Sequence, residues 1–287
     1  MREVLIVLGV LVLAPMLGVF INGIDRIITA RMQGRVGPPL LQPLYDVIKL
    51  FNKDKMIVNK LQVFYAIVYL VFAATALALF ALGGDLLLII FVLAVGAGAL
   101  VLGALSVKSP YSQIGAHREL MQILAYEPIL ILTAVTLFLV TGSFKVDEIV
   151  AFQAANNSPL LFTLPLLFIA LTYVLTIKMR KSPFDISTSH HAHQEVVRGV
   201  TTEYSGVYLG ILEIAHWYEL LLVLGMIGLF WANNWILAVA LIMVAFILEL
   251  LIDNTTSRLT WRWMLRSTWV FGMGLGTINL IYVYIIR

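Results

Sequence analysis

The sequence predicts an all-α polytopic membrane protein with eight transmembrane helices, and three observations predict it. Hydrophobic residues make up 61% of the 287 positions and charged residues only 12%, against the roughly one-half apolar share of an ordinary soluble domain. Apolar runs recur at about the 20 residues a helix needs to cross hydrocarbon. Lysine and arginine gather between alternate runs, as they do where loops face one side of a membrane.

The runs follow in order. The first, 3–21, is longer than a signal-peptide core and meets no small-residue cleavage site before the chain turns basic, so it is read as helix one. An inner loop, 22–61, comes next. Its Gly34, Gly37, Pro38, Pro39 and Pro43 forbid a continuous helix and imply a shaped turn. Beyond Pro43, suited to a first helical position, Leu44, Val47, Ile48 and Phe51 repeat at i, i+3, i+4 and i+7, while Asp46, Lys49 and Lys53 point elsewhere. That pattern predicts a short amphipathic helix lying at the interface.

Runs 62–82 and 86–107 are apolar throughout, and Gly98, Ala99 and Gly103 in the latter have the spacing of close helix contact. Loop 108–120 leads into run 121–141, and run 159–177 leads into the second long inner loop, 178–206. Runs 207–230 and 235–252, loop 253–266 and run 267–286 complete the chain. The FGMGLG string at 271–276 has no preceding strand and lies inside an apolar helix, so its glycines are packing residues, not a nucleotide loop. The whole of 1–287 is expected to form one transmembrane domain, with loops 22–61 and 178–206 together forming a platform on the inner side.

Loops 22–61, 108–120, 178–206 and 253–266 hold seven, two, four and three of the nineteen lysines and arginines, leaving only Arg2, Lys145 and Arg287 opposite. Those loops are therefore expected to face the cytoplasm or matrix, with both termini outside. The net charge of +3 then reflects orientation in a lipid bilayer and calls for no nucleic-acid partner. Cysteine is absent, which excludes a thiolate-held iron–sulfur cluster in this chain. His190, His191 and His193 crowd one loop without the spacing of a paired ligand set, so no metal site is expected.

Acids inside apolar helices are functional candidates by default. On the fourth helix Glu119, Gln122 and Tyr126 share a face, with Arg118 beside them at its inner end, and Glu127 follows Glu119 about 12 Å further along the axis. Pro128 then frees a backbone carbonyl. The sixth helix carries Glu213, His216 and Glu219, its two acids about 9 Å apart along the axis. The seventh ends with Glu249 and Asp253 at i, i+4, where like charges repel. Glu127, Glu213, Glu219, Glu249 and Asp253 all fall between the inner surface and mid-membrane, which describes a half-channel opening inward and an ion relay.

The strings DRIITARMQGRVGPPLLQPLYDVIKLFNKD, GAHRELMQILAYEP and KSPFDI with HQEVVRGVTTEYSG, followed by the sixth-helix acids, resemble the H-subunit (subunit 1) family. Its members are the eight-helix heel subunit of NADH:quinone oxidoreductase (complex I) and its counterparts in energy-converting membrane-bound hydrogenases. The resemblance implies a place where a peripheral redox arm meets the membrane arm. It implies that Asp185, Glu195 and Glu203 face that arm and that Glu127 and Glu213 are relay acids. Arg31 and Arg35 would belong to the same inner platform. The three loop histidines titrate near neutrality and suit proton delivery to Glu195. GPP running straight into LLQP, the histidine-rich loop and SRLTWRWMLRSTW look like the hydrogenase branch.

The expected function is a subunit without a redox centre of its own, coupling a ferredoxin-linked, hydrogenase-type complex to proton or sodium translocation. Its partners would be peripheral hydrogenase-like large and small subunits and antiporter-like membrane subunits in the cell's inner (plasma) membrane. Iron–sulfur clusters, and in that branch a nickel–iron centre, would belong to those partners. The competing readings are the quinone-binding subunit of complex I, an autonomous secondary ion transporter and a purely structural anchor.

Overall fold

A computed structural model describes residues 1–184 and 199–286. Among these residues every named element is helical. Among the described residues seven helices are long and apolar enough to cross a membrane, and an eighth apolar helix, Pro165–Lys178, is shorter. The all-α polytopic architecture expected from the sequence is thus the one found.

The chain divides into two compact units. The first comprises Met1–Thr75, Val92–Ile123 and Ile186–Glu219, and the second Ala76–Phe91, Leu124–Asp185 and Leu220–Arg287.

In the first unit, α1 runs from Arg2 to Met32 without a break at Pro15. It therefore continues well past the apolar run 3–21, because Gly23, Asp25 and Arg26 end the hydrophobicity without ending the helix. The turn begins at Gln33, and Gly34 takes the left-handed conformation (φ +70°) that glycine adopts without penalty. The GPPLL segment folds back along α1. A Cβ at Gly37 would stand 3.0 Å from the Ile27 Cα, and one at Gly23 would meet the Leu40 carbonyl.

The expected amphipathic helix is α2, Gln42–Phe51. Its apolar face is split. Val47 is buried with Val19 and Trp217, with Leu44 and Ile214 packed against them. Ile48 and Phe51 remain exposed, as an interfacial helix requires. Arg26 of α1 donates to the Asp46 carboxylate at 2.6 Å and pins α2 to α1, while Gln42 at the start of α2 donates to the other carboxylate oxygen at 2.8 Å and steadies it.

Helices α3 (Lys60–Ala81), α4 (Leu86–Leu105), α5 (Pro110–Thr141) and α9 (Gly206–Gly228) follow. Gly103 packs as the sequence suggested, since a Cβ there would collide with the Tyr204 hydroxyl. Gly98 does not, for among the described residues nothing lies within 4 Å of its Cβ position. At Gly115 the backbone of Gly199 and Val200 approaches α5 so closely that a Cβ would overlap it.

In the second unit, the segment expected as one span over 159–177 is a broken helix. α7 (Leu160–Thr163) stops at Leu164 (φ −124°, ψ 47°), and α8 (Pro165–Lys178) restarts with proline at its first turn. Proline disfavours helical geometry in the residue before it, so the break falls at Leu164. One side chain of α12 (Gly274–Ile286) satisfies the freed backbone. Asn279 Oδ1 accepts from Leu167 N at 3.0 Å, and its Nδ2 donates to Thr163 O at 3.3 Å.

A further helix, α6 (Val146–Asn156), has no counterpart in the sequence reading. Buried Gln153 fastens it, donating to Leu229 O at 2.7 Å and accepting from Ala232 N at 3.1 Å. α10 spans Trp235–Thr255. The last membrane segment begins earlier than expected, with α11 (Trp261–Ser267), and passes through a π-helical turn at Thr268–Met273 into α12. Gly272 and Gly276 pack against Ile129 and Leu132, as their spacing implied.

Candidate functional site

In the first unit, α5 buries Glu119 and Gln122, which are 6% and 4% exposed. Arg118, one residue earlier, is exposed, and the difference follows from the 100° step of a helix. On α9, Glu213 is half-buried and Glu219 is 3% exposed. His216 Nδ1 stands 3.9 Å from Glu219 Oε2, within ion-pair reach and beyond hydrogen-bond length. The i, i+3 spacing on one helix turn thus brings an imidazole and a buried carboxyl into ion-pair range. Tyr204, in the turn before α9, is buried, and burial raises its phenol above the ordinary value. Glu203 beside it is half-exposed, whereas Arg31 and Arg35 are exposed.

In the second unit the polar groups collect around two lysines that the sequence reading counted only as orientation charges. Lys178, 6% exposed, places its Nζ 4.2 Å from the centre of the Tyr126 ring and within electrostatic range of Glu127. A buried ammonium costs several kcal/mol unless it is compensated, and here a ring face and a carboxylate compensate it. Glu127 and Pro128 also line a cavity of about 390 Å³ with Leu124, Ile131, Leu132, Val135 and Met273. Its wall is apolar apart from the carboxylate.

Lys181 answers the repulsion expected between Glu249 and Asp253. Its Nζ lies 3.6 Å from Glu249 Oε2 and 3.8 Å from Asp253 Oδ2. Glu249 is fully buried, so a cation between the two acids is what makes their i, i+4 pairing tolerable. The only signal for this in the sequence was the position of Lys178 and Lys181 three residues apart at the inner end of an apolar run.

The expected relay acids therefore appear in two groups. Glu213 and Glu219 accompany His216, and Glu127, Glu249 and Asp253 accompany lysines. Asp185, His190, His191, His193 and Glu195 lie outside the described residues. Among the described residues, no three His, Asp or Glu side chains stand where they could share a metal ion.

Comparison with known proteins gives these groups a context. The chain is 35% identical over 223 residues to hydrogenase-4 component C of Escherichia coli (strain K12), covering 73% of this chain and 69% of that one. It is 29% identical over 284 residues to formate hydrogenlyase subunit 4 of the same organism, covering 89% and 90%. It is 27% identical over 285 residues to the H subunit of NADH-quinone oxidoreductase from Dehalococcoides mccartyi, covering 90% and 79%. A chain in the structure of the membrane-bound sulfane sulfur reductase, an archaeal respiratory membrane complex, superposes with a TM-score of 0.87 at 27% identity, covering 99% of this chain and 100% of that one. The sequence profile described as NADH dehydrogenase matches residues 4–284, and the chain is accordingly a multi-pass membrane member of the NADH dehydrogenase family.

Proposed function

We propose that this chain is the membrane subunit that couples electron transfer in a peripheral redox arm to proton or sodium movement, in a ferredoxin-linked, energy-converting complex of the hydrogenase type. The observation that carries the proposal is the burial of acids within membrane-crossing helices: Glu119 at 6%, Glu219 at 3% and Glu249 at 0% exposure. Carboxylates so placed are costly, and they persist where they pair, line a cavity or move protons. The resemblance to hydrogenase-4 component C and formate hydrogenlyase subunit 4 favours the hydrogenase branch.

On this reading the chain holds no redox centre. Iron–sulfur clusters and a nickel–iron centre belong to peripheral large and small subunits docked on the inner loops, and antiporter-like subunits continue the ion path. Arg31, Arg35 and Glu203 form the described part of the docking face, which extends to Asp185 and Glu195. The histidines at 190, 191 and 193 deliver protons, and both termini face outward from the inner membrane. Reduction in the arm changes local charge, and the helix acids respond by taking or releasing a proton.

The test is Glu213→Gln and Glu219→Gln in the assembled complex, reconstituted in vesicles. The amide keeps shape and hydrogen bonding but cannot carry a proton. Electron transfer should persist or slow while ions moved per electron fall. Unchanged ion movement in both variants overturns the relay.

A second reading is favoured by the superposition on the sulfane sulfur reductase complex, in which the same coupling subunit would serve an arm reducing sulfane sulfur. Hydrogen production or sulfane sulfur reduction by the purified complex separates the two. Competitive inhibition by a quinone-site inhibitor would instead support the quinone-binding role.

A further inference from the structure

Four contacts hold the first residues of the second inner loop. Lys181 reaches Glu249 and Asp253 of α10, and Ser182 N donates to Asp253 Oδ1 at 3.0 Å. Leu259 N, in the segment after α10, donates to Pro183 O at 2.6 Å. Phe184, 2% exposed, sets its ring edge-on to Tyr173 at 4.9 Å between centroids. Arg180 just before them takes a left-handed φ of +54°, a conformation that side-chain-bearing residues adopt only when their surroundings impose it. The chain is thus bent away from the axis of α8 and toward α10.

Two of these contacts are charged, and both end on the same acid pair. With both acids ionised, Lys181 is drawn by two carboxylates. A proton on either acid removes one of those attractions, and a proton on Asp253 also weakens the acceptor for Ser182 N. The Leu259–Pro183 bond and the Phe184 ring do not depend on charge, so the segment loosens without detaching.

We propose that Lys181 is a positioning residue that makes the placement of Lys181–Phe184 depend on the charge of the Glu249–Asp253 pair. Proton uptake by a pair of helix acids is thereby converted into movement at the root of an inner loop, and a shift of that root changes how readily the pair takes a proton. The inference rests on the relay reading above, and it adds a mechanical output to two of the relay acids.

The experiment is residue-resolved hydrogen exchange on the intact complex, reading the Ser182 and Leu259 amides against α3 as an unaffected reference. Lys181→Gln should speed exchange at both amides by about tenfold or more, because the segment loses the largely buried ion pairs that hold it against α10, and Lys181→Arg should restore protection. Because Lys181→Gln leaves two like charges buried together, the triple variant Lys181→Gln, Glu249→Gln, Asp253→Asn is measured beside it. It carries no unpaired charge, it keeps an amide oxygen for Ser182 N, and it should still exchange faster at Leu259. Protection at Leu259 equal to wild type in the triple variant overturns the proposal. Ion movement is measured in the Glu249→Gln, Asp253→Asn double variant. Faster exchange with normal ion movement there upholds the positioning role while removing this pair from the relay.

Discussion

Asp46 shows how one side chain joins the interfacial helix to the first membrane helix. Partial burial would raise its pKa, but hydrogen bonds from the Arg26 guanidinium and the Gln42 amide, with Lys49 nearby, outweigh this and hold the carboxyl below its ordinary value of 3.8. A depressed carboxyl stabilises the folded form above the unfolded pKa, and that contribution is lost as pH falls through the folded one. The attachment of α2 should therefore be intact at neutral pH and weaken only below about pH 4. Arg26 and Asp46 are 45% and 38% exposed, so solvent limits the pair to about 0.2–1 kcal/mol. Asp46→Asn should loosen α2 by that much at pH 7 and abolish its acid sensitivity. Fluorescence of a probe on α2, followed across pH, measures both.

Among helices, the break at Leu164 is the feature whose strength is most directly testable. Asn279 supplies both an acceptor and a donor to backbone groups that would otherwise be stranded in hydrocarbon. Asn279→Ala should lower the stability of the purified complex by about 1–3 kcal/mol, seen as a lower Tm. Asn279→Asp, which keeps the acceptor for Leu167 N, should recover part of it. An unchanged Tm in both variants would mean that water serves the break equally well.

The same element shows why the sequence reading ran out where it did. Pro159 and Pro165 were visible, but a hydropathy run has no term for a helix that stops and restarts within it. α6 escaped because eleven residues of mixed polarity announce nothing; Gln153 fastens it to residues 76 or more positions away. α1 was cut short because hydropathy records where a helix leaves hydrocarbon and not where it ends. By contrast Pro43 with Leu44 and Val47 gave α2 almost to the residue, since a first-turn proline and a 3.6-residue repeat are local signals. The buried acids of the helices were legible because charge inside an apolar run is itself anomalous. Their partners Lys178 and Lys181 were not, because pairing of α8 with α5, and of its following turn with α10, is set by packing.

At the scale of the whole molecule, the distribution of lysine and arginine makes a topological prediction that the absence of cysteine renders clean. Single cysteines at Lys108 and Lys145, both exposed, should react with a membrane-impermeant maleimide from opposite sides of sealed vesicles, Lys145→Cys from the outside and Lys108→Cys only from the inside. Labelling of both from one side would invalidate the orientation.

The length of α1 bears on how a peripheral arm meets the membrane. The apolar run ends near residue 21 but the helix continues to Met32, so Arg31 lies about 15 Å of helix past the end of that run at 1.5 Å per residue. That exceeds the Debye length of roughly 8 Å at physiological ionic strength. The attraction between anionic headgroups and cations held this far out is therefore largely extinguished by salt. In the coupling role proposed above, Arg31 and Arg35 would be read by a protein surface, and the grip of a peripheral arm on this helix should depend on that surface and hardly at all on the lipids beneath it.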